Sequence, residues 1–366
     1  MQVYWDGYGL GNPYSGIYQQ ACFVFSELKK FSVNPKLILP FDHISHKTVW
    51  PSESILYSGA NLNAFLKSKA IWPFVSANIA QKSLKSSREK AIFHAMSNIN
   101  LPLCGFSRLK KVITVHDLIP LLVKDGVSKS LRIQFKILLK SALKNADAIV
   151  VGSKWTEECL HSFFPELDRR VVFIPYGRSV ITSPIDSKAR KSEQSERKIL
   201  TISRFEGYKG FDILLEIVKE SPSDFKFCLI TDKKGQEFFS KSPKIADKLE
   251  VFSEISNEEK LALIRRSDIY LHPSHFEGFG IPLIEALEQG VPVLFRAGTG
   301  VDEAVVKCAS RAVTDPERAQ SWIDAVYNLE ELVSGPDFLE NLYRELALKP
   351  SWSDTARLLA NLYESL

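Results

Sequence analysis

The chain has 366 residues, of which 45% are hydrophobic and 25% charged, with a formal net charge of +4. This length suits two domains rather than a single core, and the composition excludes a disordered or fibrous protein. No apolar run reaches the roughly 18 to 20 residues of a membrane span, and no basic region precedes an apolar one at the start, so we expect a cytoplasmic protein. Five scattered cysteines without a Cys-x-x-Cys pair argue against a disulfide framework and a zinc site.

The opening segment predicts a loop that leads into a helix. Residues 5–17 contain four glycines and precede a helix that we predict over about 18–30. A glycine-rich loop that ends at a helix N-terminus can bind an anion, although a mobile terminus would have the same composition. The chain contains neither Gly-x-Gly-x-x-Gly nor a Walker-type loop, so both of these phosphate-binding fingerprints are missing.

The first half then alternates between apolar strands and helical patterns. Strands are predicted at 36–39, 91–93, 112–115, 148–151 and 171–174. Continuous apolar strands separated by helices indicate a parallel sheet that is covered on both faces. His94 and the pair His116-Asp117 directly follow two of these strands, where a parallel sheet places its chemistry. A histidine at a strand end can also be purely structural.

A basic stripe runs along the helix that we predict over about 128–145. The stripe consists of Lys129, Arg132, Lys136, Lys140 and Lys144, at spacings of 3 or 4. The opposite, core-facing side is predicted to consist of Leu131, Phe135, Leu138 and Ala142. Residues 1–180 carry a charge of +11 and residues 181–366 a charge of −7, so the basic half suits an anionic partner. The stripe could contact anionic lipid headgroups, or it could be an ordinary solvated helix face.

A second alternation of strands and helices begins after residues 181–197. This segment is rich in serine and charge, and we predict it to be an interdomain linker. The strand predicted at 199–202 leads into a loop where Arg204 and Lys209 lie beside two glycines. A guanidinium and an ammonium at the end of a strand can clamp a diphosphate, or they can be two solvated surface cations.

Two carboxylates bracket a helix start further along the chain. An apolar strand at 269–271 precedes a glycine-rich loop, and a helix is predicted over 281–289. Glu277 in the loop and Glu285 in the helix could both reach one polar ligand at the carboxyl edge of a parallel sheet. The alternative is that Glu285 is a solvated helix residue and that the glycines only shape a turn.

Three motifs of the second half stand together in an order that is typical of one enzyme family. They are Arg204-Phe205-Glu206-Gly207-Tyr208-Lys209-Gly210, the segment 273–282 (PSHFEGFGIP), and Glu285-Ala286-Leu287 with Gly290-Val291-Pro292-Val293. Seven residues separate Glu277 from Glu285. Lesser matches are Ser15-Gly16-Ile17, His116-Asp117-Leu118, Ile174-Pro175-Tyr176-Gly177 and Ser351-Trp352-Ser353. Together these motifs resemble the retaining glycosyltransferases of family four, over nearly the whole chain. The sequence departs from the commoner pattern at Ser15 and Tyr176, where glycine and asparagine are frequent.

The resemblance implies an α/β protein of the GT-B fold. This fold has two facing Rossmann-like domains with parallel sheets and a C-terminal helix that crosses back to the N-terminal domain. We therefore expect an acceptor domain at 1–180, the linker at 181–197, a nucleotide-sugar domain at 198–350 and the returning helix at 351–366.

The resemblance also implies transfer of a hexose, with retained configuration, from a nucleotide sugar to a glycan or lipid-linked glycan. Similarity to bacterial surface-polysaccharide mannosyltransferases, including those of lipopolysaccharide synthesis, favours GDP-mannose, followed by UDP-linked hexoses. We expect no nucleic-acid partner.

The resemblance assigns a role to each candidate site residue. Arg204 and Lys209 would bind the donor diphosphate, and Glu285 would accept hydrogen bonds from the ribose. Glu277, with the backbone of Gly278, Phe279 and Gly280, would hold the transferred sugar. His116 would face this sugar, and Gly16 would lie near the diphosphate.

The sequence favours catalysis without a metal. No Asp-x-Asp pair occurs in the chain, so we expect no metal and no cofactor besides the nucleotide-sugar co-substrate. Two alternatives stay open. One is an epimerase or hydrolase of the GT-B fold that acts on the nucleotide sugar, and the other is a non-catalytic protein that binds it.

Overall fold

We describe the protein from a computed structural model that covers residues 1–41, 50–59, 62–68, 71–84, 90–102, 106–123, 128–179, 196–241, 245 and 247–366. Most of the predicted linker lies outside these residues. The chain divides into two compact units. Unit 1 comprises residues 1–177 and 350–366, and unit 2 comprises residues 178–349.

Unit 1 contains a parallel sheet of seven strands within the described ranges. These are β1 (Gln2–Asp6), β2 (Lys36–Leu39), β3 (Ile55–Ser58), β4 (Ala91–Ala95), β5 (Leu109–Val115), β6 (Ala148–Val151) and β7 (Val171–Phe173), in the spatial order β3-β2-β1-β4-β5-β6-β7. The helices are α1 (Gly16–Leu28), α2 (Trp72–Lys82), α3 (Ile119–Leu122), α4 (Lys129–Asn145) and α5 (Lys154–Phe163). Our sequence reasoning missed β1 and assigned its last two residues to a loop, although Trp5 is fully buried in it.

Unit 2 repeats this plan with six strands in the part that the structure describes. These are β8 (Arg197–Ile202), β9 (Phe225–Thr231), β10 (Leu249–Ser253), β11 (Ile269–His272), β12 (Val293–Phe295) and β13 (Ser310–Ala312), in the parallel order β10-β9-β8-β11-β12-β13. The helices are α6 (Phe211–Glu220), α7 (Lys233–Ser240), α8 (Asn257–Arg265), α9 (Ile281–Glu288), α10 (Val301–Ala304), α11 (Ala319–Val333) and α12 (Phe338–Ala347). Phe225, Leu229 and the fully buried Trp322 belong to its core.

The last helix, α13 (Trp352–Ser365), belongs to unit 1 although its sequence follows unit 2. Ser351 and Asp354 form a capping box that fixes its start. Trp352 stacks on Phe23 of α1 with ring centroids 5.0 Å apart. Aromatic stacking and the cap therefore attach the C-terminal segment to the first sheet's covering helix.

A buried polar chain links α13 to the sheet of unit 1. Tyr363 Oη accepts a hydrogen bond of 3.0 Å from Trp5 Nε1 and lies 2.5 Å from His94 Nδ1. His94 Nε2 lies 2.7 Å from Thr114 Oγ1. Burial lowers the pKa of His94 to about 3, so its imidazole is neutral. His94 is therefore a satisfied structural residue.

The apolar side of α4 differs in part from the prediction. Leu139, Ala142 and Leu143 are buried, but Leu131 is 58% exposed, so its assignment to the core-facing side was wrong. α4 contacts α3 and β5, and its buried residues lie in its C-terminal half, whereas Leu131 is in its first turn. Among the described helices, none combines the length and apolarity needed to cross a bilayer.

We expect Tyr363→Phe to destabilise unit 1. The change leaves Trp5 Nε1 and His94 Nδ1 without their buried partner, which costs about 1–3 kcal/mol in the free energy of unfolding. Thermal melting followed by circular dichroism measures this loss. Tyr14→Phe removes a half-exposed hydroxyl from the same unit and should leave the melting temperature unchanged. Equal melting temperatures for both variants would contradict a stabilising role of the polar chain.

Candidate functional site

The candidate site lies where the strand order of unit 2 reverses. β8 and β11 are neighbours, whereas the strands that follow them in sequence, β9 and β12, lie on their outer sides. In such parallel sheets ligands bind in the crevice at the carboxyl ends of the two central strands. β8 leads into the loop 203–210 and β11 into the loop 273–280, so both predicted loops reach this point.

Close packing joins these two loops. Tyr208 O accepts a hydrogen bond of 2.8 Å from His275 N. Gly210 has a φ of +71°, and a side chain at this position would begin 2.3 Å from Pro273 O. Any larger residue would be strained and would clash, so glycine is what permits the contact.

Lys209 and Glu277 form an ion pair across the two loops. Lys209 Nζ lies 2.5 Å from Glu277 Oε1, and the side chains are 11% and 16% exposed. His272 Nε2 lies 3.3 Å from the same oxygen. Burial alone raises the pKa of Glu277, but Lys209 and then His272 outweigh it, and this pKa lies well below its usual range. Burial alone lowers the pKa of Lys209, but Glu277 reverses the shift, so both groups are charged.

Arg204 brings a second positive charge to the same loop. Its side chain is exposed. Because Arg204 and Lys209 are both positive, Arg204 lowers the pKa of Lys209, but this effect is smaller than the increase that Glu277 causes. Phe205 N donates a hydrogen bond of 3.1 Å to Asp232 Oδ2 and anchors the loop beside Arg204. The loop thus presents two cations, the exposed Arg204 and the buried Lys209, and Lys209 is paired with Glu277.

The backbone after Glu277 turns sharply into α9. Gly280 precedes the helix with a φ of +90°, a conformation that favours glycine, and no side chain caps this helix start. Phe279 is buried, and Glu277 O accepts a hydrogen bond of 3.0 Å from Gly300 N. The backbone N–H groups at the start of α9, directly after Glu277, therefore have no side-chain cap.

Glu285 has a buried partner that our sequence reasoning missed. Lys260 Nζ of α8 donates a hydrogen bond of 2.6 Å to Glu285 Oε1, and both side chains are 9% exposed. The prediction that allowed a solvated Glu285 is therefore excluded. Helical spacing could have flagged Lys260, because Ile264, four residues on, is buried on the same face of α8.

Several buried oxygens around α9 have no hydrogen-bond partner among the described residues. They are Ser274 Oγ, Glu285 Oε2 and Thr299 Oγ1. A buried polar group without a partner costs about 1–3 kcal/mol, and native structures usually satisfy such groups. These oxygens fit a polar ligand with hydroxyl groups that completes their hydrogen bonds. The described residues contain no cluster of potential metal ligands.

Glu288 lies one turn beyond Glu285 and is also buried. Its Oε1 accepts a hydrogen bond from Ser179 N, at the point where the chain enters unit 2. Burial raises the pKa of Glu288 to about 7. The hydrogen bond from Ser179 lowers this pKa, and the nearby Glu285 raises it further, but both effects are smaller than that of burial. α9 therefore carries one carboxylate paired with Lys260 and one carboxyl group that binds the start of the unit.

The candidate site residues of unit 1 are His116 and Gly16. His116 Nε2 donates to Met96 O at 2.9 Å, and its Nδ1 lies 2.6 Å from Tyr176 Oη, so both ring nitrogens have partners. Burial lowers the pKa of His116 to about 4, so it is neutral. Gly16 is the first residue of α1, which begins two residues before the predicted start, and Ser15 caps the helix by accepting a hydrogen bond from Tyr18 N.

Comparisons with known proteins agree with the fold and the motifs. Residues 183–344 match the family model described as glycosyl transferases group 1. The uncharacterized glycosyltransferase MJ1178 of Methanocaldococcus jannaschii is 24% identical, over 72% of either chain. The O-antigen chain mannosyltransferase RfbU of Salmonella typhimurium is 23% identical, over 61% of either chain.

A solved structure covers the whole length of this chain. It is Alr3699/HepE from Anabaena in complex with UDP and glucose, with a TM-score of 0.76, 18% identity and 100% coverage of both chains. The predicted family resemblance and the predicted GT-B fold, with its two Rossmann-like domains, are confirmed.

Glu288→Gln tests the raised pKa in α9. In the wild type, the stabilisation that Glu288 contributes is fully present below its unfolded pKa of 4.5 and is lost as the pH rises through about 7. The loss is at most about 3 kcal/mol. Glutamine stays neutral and keeps an acceptor for Ser179 N, so the variant's melting temperature should fall less than that of the wild type between about pH 5 and about pH 8.

Glu258→Gln, an exposed change at the start of α8, serves as the matched control. It should keep the pH dependence of the wild type. If the melting temperature of Glu288→Gln falls as much as that of this control between about pH 5 and about pH 8, the Glu288 carboxyl group does not titrate in this range.

Proposed function

We propose that this protein moves a hexose from a nucleotide sugar to a glycan or lipid-linked glycan acceptor, and the match of residues 183–344 to the family model described as glycosyl transferases group 1 supports this. The proposal includes retention of the anomeric configuration and a place in cell-surface polysaccharide synthesis. The observation that carries it is the Lys209–Glu277 pair at the carboxyl ends of β8 and β11. A buried cation beside an ionised carboxylate suits a ligand with both phosphate and hydroxyl groups.

Each charged group has a separate role in this proposal. Lys209 and Arg204 bind the diphosphate and neutralise the charge that develops on the leaving nucleotide. Glu277 is fully ionised, so it accepts hydrogen bonds from sugar hydroxyls and cannot donate a proton. The free oxygen of Glu285 accepts a hydrogen bond from the ribose.

The remaining candidates contribute mainly through position. The backbone of 278–280 borders the transferred sugar, and the role beside the diphosphate that the family resemblance gives Gly16 stays a prediction. His116 is neutral and hydrogen-bonded on both nitrogens, so it transfers no proton in this proposal.

Retention follows from attack on the same face of the sugar. The bond between the anomeric carbon and the diphosphate oxygen breaks, and the acceptor oxygen forms its bond to that carbon from the same side. The departing phosphate takes the acceptor proton, so no protein nucleophile is required. Charge stabilisation by Lys209 and Arg204 supports a reaction without a metal, in agreement with the absence of Asp-x-Asp from the sequence.

The donor that we favour is GDP-mannose. The named activity of the Salmonella relative, a mannosyltransferase, supports mannose. The complex of the Anabaena protein with UDP and glucose makes a UDP-linked hexose the second candidate.

Lys209→Met tests the assignment in a transfer assay. A thermal-shift panel of sugar nucleotides first identifies the donor, because a true donor stabilises the fold. With that donor and an acceptor glycan, the variant's kcat should fall about 100-fold or more, since the leaving diphosphate loses its buried cation. Lys233→Met removes an exposed lysine at the start of α7 and should keep the wild-type rate.

Several outcomes would contradict the proposal. Product formation from the donor alone indicates an epimerase or hydrolase, and binding without turnover indicates a non-catalytic binding protein. A wild-type rate that vanishes with excess chelator and returns with magnesium contradicts the metal-free reaction. An unchanged rate in Lys209→Met removes this residue from the diphosphate site.

The surface of α4 supports peripheral contact with an anionic membrane, at the inner face of the cytoplasmic membrane. Ile133 and Ile137, one turn apart, are 61% and 62% exposed, and Leu131 is 58% exposed. Exposed lysines at 129, 136, 140 and 144 lie on the same helix. An interfacial helix binds by burying exposed apolar side chains while its cations contact anionic headgroups. A lipid-linked acceptor would then be bound where it is embedded.

Ile133→Ser/Ile137→Ser tests this contact by vesicle sedimentation. The wild type should bind phosphatidylglycerol-containing vesicles, and binding should fall sharply as salt rises from about 0.1 M to about 1 M. The double variant should bind at least about tenfold more weakly than the wild type, because two apolar side chains no longer insert. Leu348→Ser removes a side chain of unit 2 that is 84% exposed and should bind like the wild type. Salt-independent binding, or none, contradicts membrane contact.

A further inference from the structure

We infer that Lys260 is a positioning residue for the nucleotide, acting through Glu285. This inference rests on the proposed function, in which Glu285 contacts the ribose of the donor. Lys260 holds Glu285 Oε1, and the other carboxylate oxygen is the one left for the ligand. Recognition of the ribose therefore depends on a lysine in α8, a helix that carries none of the motif residues.

The burial of Lys260 needs an explanation beyond packing. Its side chain is 9% exposed, and it lies on the same face of α8 as the fully buried Ile264. An apolar residue would fill this position without the cost of removing an ammonium from water. The 2.6 Å contact with Glu285 offsets that cost, so the lysine and the glutamate depend on each other.

The surroundings leave Glu285 with one committed oxygen and one open oxygen. Glu288, the next buried acid on α9, accepts a hydrogen bond from Ser179 N. Glu285 Oε2 is buried and has no partner among the described residues. A carboxylate accepts a hydrogen bond best when its oxygens are fixed in position, and the hydrogen bond from Lys260 fixes Glu285.

This arrangement predicts which property of the protein depends on Lys260. Loss of the lysine leaves Glu285 as an unpaired buried acid, which no longer presents an oriented oxygen to a ribose hydroxyl. Phosphate binding at Lys209 and Arg204 does not depend on Lys260. The change should therefore reduce discrimination between ribose and dideoxyribose more than it reduces binding of the diphosphate.

The test is calorimetric titration with GDP and UDP and with their 2′,3′-dideoxy forms. The wild type should bind the better ribonucleotide about tenfold or more tightly than its dideoxy form. In Lys260→Met this ratio should fall below about threefold, and Lys260→Arg should restore it. Arg265→Met is the matched control, since it removes another cation of α8 that contacts the end of α9 at Gln289. This control should keep the wild-type ratio.

A cycle with Glu285 separates positioning from folding. Glu285→Gln alone should collapse the ratio, and adding Lys260→Met should change it no further. Lys260→Met/Glu285→Leu replaces the ion pair with apolar groups and should melt near the wild-type temperature, so it provides a folded variant without ribose discrimination. An unchanged ratio in Lys260→Met overturns the inference. Failure of the wild type to bind either nucleotide overturns the proposed function instead.

Discussion

The candidate site depends on a constraint of parallel sheets, which present the carboxyl ends of all their strands at one edge. β8 and β11 become neighbours through the reversal of strand order in unit 2, and their loops meet at this edge. Gly210 then allows the backbone of one loop to touch Pro273 of the other. Lys209 and Glu277, 68 residues apart in sequence, are brought into contact by this packing.

Charge pairing keeps this site assembled in the described structure. Lys209 pairs with Glu277, and Lys260 pairs with Glu285, so each of these two buried acids has its own cation. Because isolated buried charges are costly, removal of either lysine would leave an unpaired acid in its place. In the proposed reaction a bound diphosphate competes with Glu277 for Lys209. Binding of the donor therefore exchanges one anionic partner for another, and leaves Glu277 free to accept hydrogen bonds from the sugar.

Unit 1 uses its polar residues in a different way. His94 and His116 each have partners on both ring nitrogens, and burial keeps both rings neutral. The hydrogen bonds of His94 run to Tyr363 of the last helix and to Thr114 of β5, so this histidine connects the C-terminal segment to the sheet. In contrast, α4 of the same unit has exposed isoleucines and lysines.

The sequence by itself determined the parallel-sheet architecture and the two loops with Arg204 and Glu277, because apolar runs and glycine spacing are local properties of the chain. Short strands such as β1 were missed, since five residues with polar ends give little periodicity. Only the tertiary structure decided that Lys260 pairs with Glu285 and that Leu131 is exposed. Both depend on which elements, distant in sequence, pack against a given helix face, and a local pattern does not contain that information.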